Sequence, residues 1–268
     1  MTSMDVTDFT TVDQTGDPAF FARFLDAANR NRSVIDAKPL ILKGLQLQEG
    51  HRVLDAGCGM GADVFAIAER VGPAGHVTGV DFSEALIDVA RKRAEGSGLP
   101  VEFEVGDVQE LRFADESFDS ARTERLLMHV PDADQAVTEM IRVVRPGGHI
   151  SVFDFDWETQ FCNSSLRETT RRITQSFSDS MKNGTIGSRL AAMFRRNGLL
   201  DVSTTYHTVT IDFDFLQLLL GGHVVHAVEA GIILSEEANE WWRDLERSSG
   251  ENNFLYGFTA FIVSGTKA

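Results

Sequence analysis

The feature that most constrains this chain of 268 residues is an apolar run that leads directly into alternating glycines. Residues 53–61 read VLDAGCGMG, and a helical pattern over residues 62–71 follows at once. Glycines at alternating positions let a backbone approach a ligand closely, and the helix start offers free N–H groups and a positive dipole end to a carboxylate or phosphate. The segment therefore predicts a strand, a ligand-binding turn and a helix.

Strand-like and helix-like segments alternate on both sides of this turn. Further helical patterns cover residues 84–95 and 133–144. The predicted strands are residues 51–55, 76–80, 101–105, 118–123 and 149–155. Such alternation predicts an α/β fold with a parallel sheet and crossover helices.

The remaining segments predict how this core is completed. Asp17 and Pro18 are suited to cap and begin a first helix. A strand over residues 201–211 and a last strand over residues 254–263 flank a mostly helical, apolar stretch. We expect one structural domain with four parts. They are an N-terminal helical cap (1–48), a core (49–212), a helical lid insert (213–250) and a final strand completing the core (251–268).

Acidic residues at three strand ends narrow the choice of ligand, because the glycine turn alone also fits a dinucleotide fingerprint. Asp55 ends the first strand, where it can accept from an ammonium group. Asp81 ends the second, where a carboxylate can bind both ribose hydroxyls. Asp107 follows the third, where an acid can accept from an adenine amino group while Val108 packs on the ring.

Taken in order, five segments resemble the class I S-adenosylmethionine-dependent methyltransferases, in the branch that includes the ubiquinone and menaquinone C-methyltransferases. They are VLDAGCGMG, VTGVDFS, GDVQELRFADESFD, LLMHVPD and RVVRPGGHISVFD, and they span about residues 52–154. The resemblance implies a Rossmann-like fold with a seven-stranded, mostly parallel sheet and an antiparallel last strand. It also implies S-adenosylmethionine as cofactor and S-adenosylhomocysteine as product. The implied cofactor-binding residues are Asp55, Gly57, Gly59, Gly61, Asp81, Phe82, Asp107, Val108, Thr123 and Glu124.

Ligands of open α/β sheets lie over the carboxyl ends of the strands, and the N-terminal helices and the insert are the segments free to cover an acceptor there. Their composition therefore describes the expected acceptor. The insert is rich in Leu, Val, Ile and Phe and carries Trp241 and Trp242. It predicts a small, partly hydrophobic acceptor of the kind found in secondary metabolism, methylated at oxygen first, then at carbon or nitrogen. A lid that merely packs on the core or on a second subunit is the alternative.

A general base is needed only if the acceptor must lose a proton during attack. The predicted catalytic residues are His129, His223 and Asp156. A core or capping role is the alternative for His129, and a buried, hydrogen-bonded role is the alternative for His223. We expect no metal, since no third ligand is evident near His223 and His226.

Charge and cysteine content limit the expected partners. The net charge of −15 repels nucleic acid and anionic lipid. Residues 215–234 are apolar, but Gln217, His223 and Gly221–Gly222 interrupt them, so we expect no membrane span. Two cysteines and an N-terminus unlike a secretion signal predict a cytoplasmic location, and a homodimer is left open.

Three other functions compete with small-molecule methylation. An NAD-dependent oxidoreductase fits the glycine turn but not Asp107. A cyclase-like catalyst could bind S-adenosylmethionine and use its charge without transferring the methyl group. A nucleic-acid or protein methyltransferase is disfavoured by the acidic charge and by the lack of an Asn-Pro-Pro-Tyr or Asp-Pro-Pro-Tyr motif after the fourth strand.

Overall fold

The computed structural model describes residue 6, residues 9–14 and residues 17–268. Residues 1–5, 7–8 and 15–16, part of the predicted N-terminal cap, lie outside the described residues. The strands are Arg52–Ala56 (β1), His76–Asp81 (β2), Val101–Val105 (β3), Phe118–Glu124 (β4), Val144–Cys162 (β5), Leu200–Ile211 (β6) and Tyr256–Thr266 (β7).

The helices begin and end close to the predicted limits. A short 3-10 helix, Phe9–Gln14, precedes them. The helices are Pro18–Arg30 (α1), Arg32–Gly44 (α2), Ala62–Val71 (α3), Glu84–Ala94 (α4), Ala133–Val143 (α5), Arg167–Ser180 (α6), Ile186–Arg196 (α7), Phe213–Glu229 (α8) and Ser235–Gly250 (α9). The side chain of Asp17 accepts from the backbone N–H of Phe20 at 3.2 Å, which confirms the predicted cap of α1.

The strands form one sheet in the order β3-β2-β1-β4-β5-β7-β6. Strands β1 to β5 pair in parallel, whereas β7 runs antiparallel to both β5 and β6. The predicted Rossmann-like sheet with an antiparallel last strand is therefore confirmed. Because the chain turns back between β1 and β4, their carboxyl ends open a crevice of the kind that holds ligands in such sheets.

Helices cover the sheet and explain the apolar strands. Helices α3 and α4 pack against β1, β2 and β3, α5 packs against β4 and β5, and α2 and α7 pack against β5, β6 and β7. Val53, Leu54 and Ala56 of β1 are completely buried. A strand covered on both faces is expected to be mostly apolar, and the one acidic residue within β1 is Asp55.

Strand β5 is much longer than the predicted residues 149–155. After an irregularity beyond Asp156, its pairing with β7 resumes where Phe161 lies opposite Gly257. A side chain at Gly257 would overlap the ring of Phe161. The irregular stretch carries Trp157, whose ring lies 4.5 Å from that of Phe258. Local apolar patterning did not predict this extension, because it depends on pairing with a distant strand.

The predicted insert forms two helices, α8 and α9. Helix α8 continues through Gly221 and Gly222, although we expected these residues to split the apolar stretch. It packs against α1, α6 and α9, so its apolar residues face several neighbours at once. Within the part of the chain that the structure describes, every helix is too short or too polar to cross a membrane.

Candidate active site

A cavity of about 480 Å³ lies over the carboxyl ends of the central strands. Asp55, the next-to-last residue of β1, contributes a polar group to its wall, as do Asp81 and Glu124, which end β2 and β4. Apolar lining residues come from β5, β6, β7, α1 and α8. They are Phe24, Phe155, Trp157, Val209, Ile211, Phe215, Leu219 and Phe258. The cavity therefore has a carboxylate-rich part and an aromatic part.

The glycine turn presents its backbone to this cavity. Gly57 and Gly59 both line it and have left-handed φ values of 75° and 53°, which side-chain-bearing residues rarely adopt. Gly61 starts α3 but is not among the lining residues; a Cβ there would lie 2.6 Å from the ring of Phe103. Two of the predicted glycines thus reach the cavity, while Gly61 allows close packing behind it.

The Asp81 carboxylate is fixed at the rim by backbone donors. Its Oδ2 accepts from Gly59 N at 2.8 Å and its Oδ1 from Ser83 N at 3.0 Å. Burial raises the pKa of Asp81, although these N–H groups oppose the increase. Phe82, the next residue, lines the cavity with 60% of its surface exposed. The turn after β2 therefore offers an oriented carboxylate beside an uncovered ring.

The turn after β3 adds a second acid and an apolar surface. Asp107 lines the cavity, and its Oδ1 accepts from the backbone N–H of Gln109 at 2.8 Å. Val108 also lines the cavity and is otherwise buried. This pairing of an acid with an apolar side chain matches the predicted arrangement for an adenine ring.

A buried ion-pair network, here called the charge network, lies beneath the turn and comprises Lys38, Asp55, Asp63, Arg122 and Glu124. The Arg122 guanidinium, on β4, is 3.0 Å from Asp63 Oδ2 and 3.4 Å from Asp55 Oδ2, and it also pairs with Glu124. Lys38 Nζ lies 2.6 Å from Asp63 and 2.8 Å from Glu124. The network joins α2, β1, α3 and β4 at one point.

Burial and charge act in opposite directions within the charge network. Burial raises the pKa of Asp55 to about 7, although the nearby Arg122 opposes the increase. Burial also acts to raise the pKa of Asp63, but the charges of Arg122 and Lys38 outweigh it and hold the pKa below its ordinary value. Asp63 therefore stays ionised, whereas Asp55 changes its protonation near neutral pH.

Lys38, Asp63 and Arg122 were not predicted from the sequence. A basic residue within β4, a strand of the central sheet, was the available signal for Arg122, because a buried arginine requires carboxylate partners. The predicted Glu124 lines the cavity together with Asp55, Asp63 and Arg122 of the same network. Thr123 is completely buried and is not among the lining residues.

The predicted catalytic residues lie in different places. His129 lines the cavity, and its ring centre is 5.0 Å from that of Phe9. His223 is not a lining residue; its Nε2 is 2.8 Å from Ser176 Oγ. Asp156 is also absent from the lining, and its Oδ1 accepts from the backbone N–H of Glu158.

The loop that carries His129, residues 126–131, is held by two polar side chains, the buried Asp154 and the half-buried Asn183. Asp154 accepts from the backbone N–H of Met128 at 3.3 Å, and burial raises the pKa of Asp154 to about 7. Asn183 donates to the carbonyl groups of Leu127 and Val130 at 3.0 and 2.8 Å. Asn183 could not be predicted from the sequence, since its partners are backbone atoms far along the chain.

The insert contributes less to the cavity than we expected. Phe215 and Leu219 of α8 line it, whereas Trp241 is completely buried and donates to Thr170 Oγ1 at 2.9 Å. Phe9 and Phe24 of the N-terminal helices also line the cavity, as do rings from β5 and β7. The prediction that only the N-terminal helices and the insert cover the acceptor is therefore incomplete, because strands contribute part of the apolar wall.

Comparisons with known proteins define the class to which this fold and site belong. Residues 47–198, more than half of the chain, match the family model described as a methyltransferase domain. The chain therefore belongs to the S-adenosylmethionine-dependent methyltransferases, whose methyl donor is S-adenosylmethionine. This membership decides against the NAD-dependent alternative.

Individual relatives match parts of the chain. An uncharacterized 37.1 kDa protein in a transposon of Streptomyces fradiae is 38% identical over 172 residues, covering 63% of this chain and 49% of that protein. The demethylmenaquinone methyltransferase of Listeria welshimeri is 38% identical over 141 residues, covering 50% of this chain and 60% of the enzyme. The chain thus spans about half to three fifths of these relatives' lengths.

Several solved structures match nearly the whole chain, and one of them is a cyclase. The cyclase SpnF has a TM-score of 0.60 and 18% identity, over 98% of this chain and 99% of its own. At this identity the similarity concerns the fold. It shows that the helices outside the matched family region, as well as the sheet, follow a known arrangement.

Proposed function

We propose that this protein transfers a methyl group from S-adenosylmethionine to a small, partly apolar molecule, with oxygen as the first expected acceptor atom and carbon or nitrogen next. The two-part cavity carries this proposal. Its carboxylate-rich part suits a cationic cofactor with ribose and amino groups, and its aromatic part suits an apolar acceptor.

The residues of the carboxylate-rich part fit the cofactor. Asp81 is oriented to accept from ribose hydroxyls, and Asp107 with Val108 suits the adenine ring, beside which Phe82 adds an uncovered apolar face. Asp55 and Glu124 would face the amino-acid part, over the open backbone of Gly57 and Gly59. Gly61 and Thr123 would support these residues from behind the wall.

When bound, S-adenosylmethionine supplies an activated methyl group on a positively charged sulfur. The protein therefore has to align the acceptor with that group and to exclude water, which can supply much of the catalysis. Aromatic rings from β5, β7 and α8 serve both purposes in the acceptor part. His129 is the predicted catalytic residue that lines this cavity, so it is the best-placed group to take a proton from an acceptor.

Charge and thiols support the proposed setting. The net charge of −15 favours a small-molecule acceptor over nucleic acid. Cys58 and Cys162 are free thiols, as expected for the cytoplasmic location that we propose. A homodimer remains compatible with these features.

The cofactor assignment is tested by calorimetric titration of the purified protein with S-adenosylhomocysteine, with NAD as the control. Micromolar binding of the first alone is expected. Absence of that binding would contradict the assignment at its root. A positive result justifies a screen of quinone-like, phenolic and other apolar acceptors with methyl-labelled donor.

A cyclase-like catalyst that keeps the methyl group is the second candidate, supported by the fold shared with SpnF over nearly the whole chain. The labelled donor separates the two functions. Label appearing in the product supports methyl transfer. Conversion of an acceptor without incorporation of label would instead support the cyclase-like alternative.

A further inference from the structure

Arg125 occupies an unusual position directly after β4. Its φ is +56°, in the left-handed region that residues other than glycine seldom adopt. Its backbone N–H donates to the carbonyl of Phe153 at 2.8 Å, which holds this conformation. Backbone strain of this kind persists where the surrounding structure fixes it, and it often accompanies functional sites.

The Arg125 guanidinium lines the cavity and keeps one donor without a partner. Its Nη2 pairs with Asn29 Oδ1 at 2.6 Å and with Glu124 Oε1 at 3.2 Å. Its Nε is buried and has no hydrogen-bond partner. The side chain is only 14% exposed, so water offers little compensation for this donor. A largely buried guanidinium with an incomplete set of partners is unfavourable unless a ligand adds to them.

Arg122 also lines the cavity and also has a buried Nε without a partner, but it differs from Arg125 in its carboxylate partners. Arg122 is enclosed by the carboxylates of Asp55, Asp63 and Glu124, so its charge is already balanced. Arg125 shares one carboxylate, that of Glu124, with both Arg122 and Lys38. Arg125 therefore retains the capacity to bind a further anionic oxygen.

The position of Arg125 favours the acceptor over the cofactor as the source of that oxygen. The residue follows the carboxyl end of β4 and contacts α1 through Asn29. Strand β5, which pairs with β4 in the sheet, contributes Phe155 and Trp157 to the aromatic part of the cavity. Arg125 thus lies between the carboxylate-rich part and the apolar wall.

We propose that Arg125 binds an anionic oxygen of the acceptor, so that the acceptor is an apolar molecule with an acidic hydroxyl, namely a phenol, an enol or a carboxylic acid. This inference rests on the proposed methyltransferase function and names its substrate class. A planar guanidinium with several N–H donors is well suited to such oxygens. A neighbouring cation also favours the ionised form of the hydroxyl.

The chemistry balances without an additional reactant. A phenol or enol gives its proton to His129, which passes it to solvent, whereas a carboxylic acid arrives ionised. The acceptor oxygen forms a bond to the methyl carbon while the carbon–sulfur bond breaks. The electron pair of that bond stays on sulfur, so the negative charge on oxygen and the positive charge on sulfur disappear together.

The first experiment asks whether Arg125 serves the cofactor. Wild type, Arg125→Met and Arg125→Lys are titrated with S-adenosylhomocysteine. Affinities within about threefold of each other are expected, because Arg125 lies on the acceptor side. Failure of wild type to bind would contradict the proposed function itself. Loss of binding in both variants alone would place Arg125 in the cofactor site and overturn the inference.

The second experiment uses two probes of the same apolar shape, 2-naphthoate and 2-naphthamide. Each is titrated into protein saturated with S-adenosylhomocysteine. Wild type should bind the anion about tenfold or more tightly than the amide, as expected for a hydrogen bond to a charged group. Arg125→Met should lose this preference, and Arg125→Lys should retain part of it.

Arg93→Met is the matched control, because Arg93 also pairs with a residue of α1, Asp26, but does not line the cavity. It should keep the full preference for the anion. Equal affinity of wild type for the two probes, absence of naphthoate binding at millimolar concentration, or an unchanged preference in Arg125→Met would each overturn the inference.

Discussion

Arg122 and Asp63 form an ion pair, with 3.0 Å between Nη1 and Oδ2, that joins the interior of β4 to the first turn of α3. The glycine turn lies between β1 and this helix, and Asp55 of β1 is also within 3.4 Å of the same guanidinium. The backbone of the glycine turn and the end of β4 are therefore held by one buried cation. Changes at Arg122 should affect both the stability of the fold and the shape of the site.

We expect Arg122→Met to lower the free energy of unfolding by about 3–5 kcal/mol, because the carboxylates of Asp63 and Glu124 would lose a buried partner. Urea denaturation followed by circular dichroism measures the loss. Arg145→Met is the matched control, since Arg145 pairs with Asp119 while 46% exposed. Its cost should stay below about 1 kcal/mol. Equal losses in the two variants would contradict a central role for the network.

We expect Asp81→Ala to abolish binding of S-adenosylhomocysteine while leaving the fold intact. The carboxylate lines the cavity and is held there by Gly59 and Ser83, so its loss removes an oriented acceptor without removing core volume. Calorimetry measures the binding, and thermal unfolding checks the fold. Asp88→Ala, which alters an exposed carboxylate on α4, should bind normally. Retained micromolar binding by Asp81→Ala would refute the site assignment.

The stability difference between Asp154→Asn and wild type should depend on pH. Burial raises the pKa of Asp154 to about 7 from an ordinary value of 3.8, so the folded state holds a proton that the unfolded state releases. The resulting stability is present below about pH 4 and is lost as pH rises towards 7. Asparagine does not titrate, so the variant should gain up to about 4 kcal/mol relative to wild type between pH 4 and 8.

Urea denaturation at several pH values measures this difference, with Asp119→Asn as a control of opposite sign. Burial acts to raise the pKa of Asp119, but hydrogen bonds, the largest of them with Arg145, and nearby positive charges together outweigh burial and hold the pKa below its ordinary value. That carboxylate therefore stabilises the fold above its unfolded pKa, and its stabilisation is lost as the solution becomes acidic. Asp119→Asn should thus fall behind wild type as pH rises through the acidic range. A pH-independent difference for Asp154→Asn would contradict a neutral buried carboxyl.

The limits of β1, β2 and β3 were predictable because these short strands carry valine, leucine or phenylalanine and follow turns that contain glycine or proline. Residues 101–105 were predicted with the limits that β3 has. Local periodicity could not predict the second half of β5, because its pairing with β7 depends on contacts distant in sequence. The fold class can therefore be predicted from the sequence, whereas the part of the cavity wall that the extended β5 forms cannot.

Site residues that follow a strand end within a motif could be predicted. Site residues whose side chains pair with side chains of other helices and strands could not. Asp81 and Asp107 follow strand ends, so their place over the sheet edge follows from topology. Arg122 is compatible with a buried strand only because Asp63 and Glu124 converge on it in the folded chain. Asn183 binds backbone carbonyls, which every residue has, so no pattern in the sequence indicates the contact.

Two of the histidines give a direct comparison between a residue that lines the cavity and one that does not. We expect His129→Ala to lower the turnover of a phenolic acceptor about 100-fold or more, as loss of a general base commonly does, with little effect on the affinity for S-adenosylhomocysteine. Raising the pH should partly restore the rate, because the acceptor then ionises in solution.

His223→Ala should instead destabilise the fold by about 2 kcal/mol or more, because it removes a buried ring that packs on Phe177 and a hydrogen bond to Ser176. Its turnover at a temperature well below unfolding should match that of wild type. Steady-state kinetics and urea denaturation of the two variants measure both effects. A large loss of turnover in His223→Ala with unchanged stability would show that His223, predicted from the sequence as catalytic, reaches the acceptor after all.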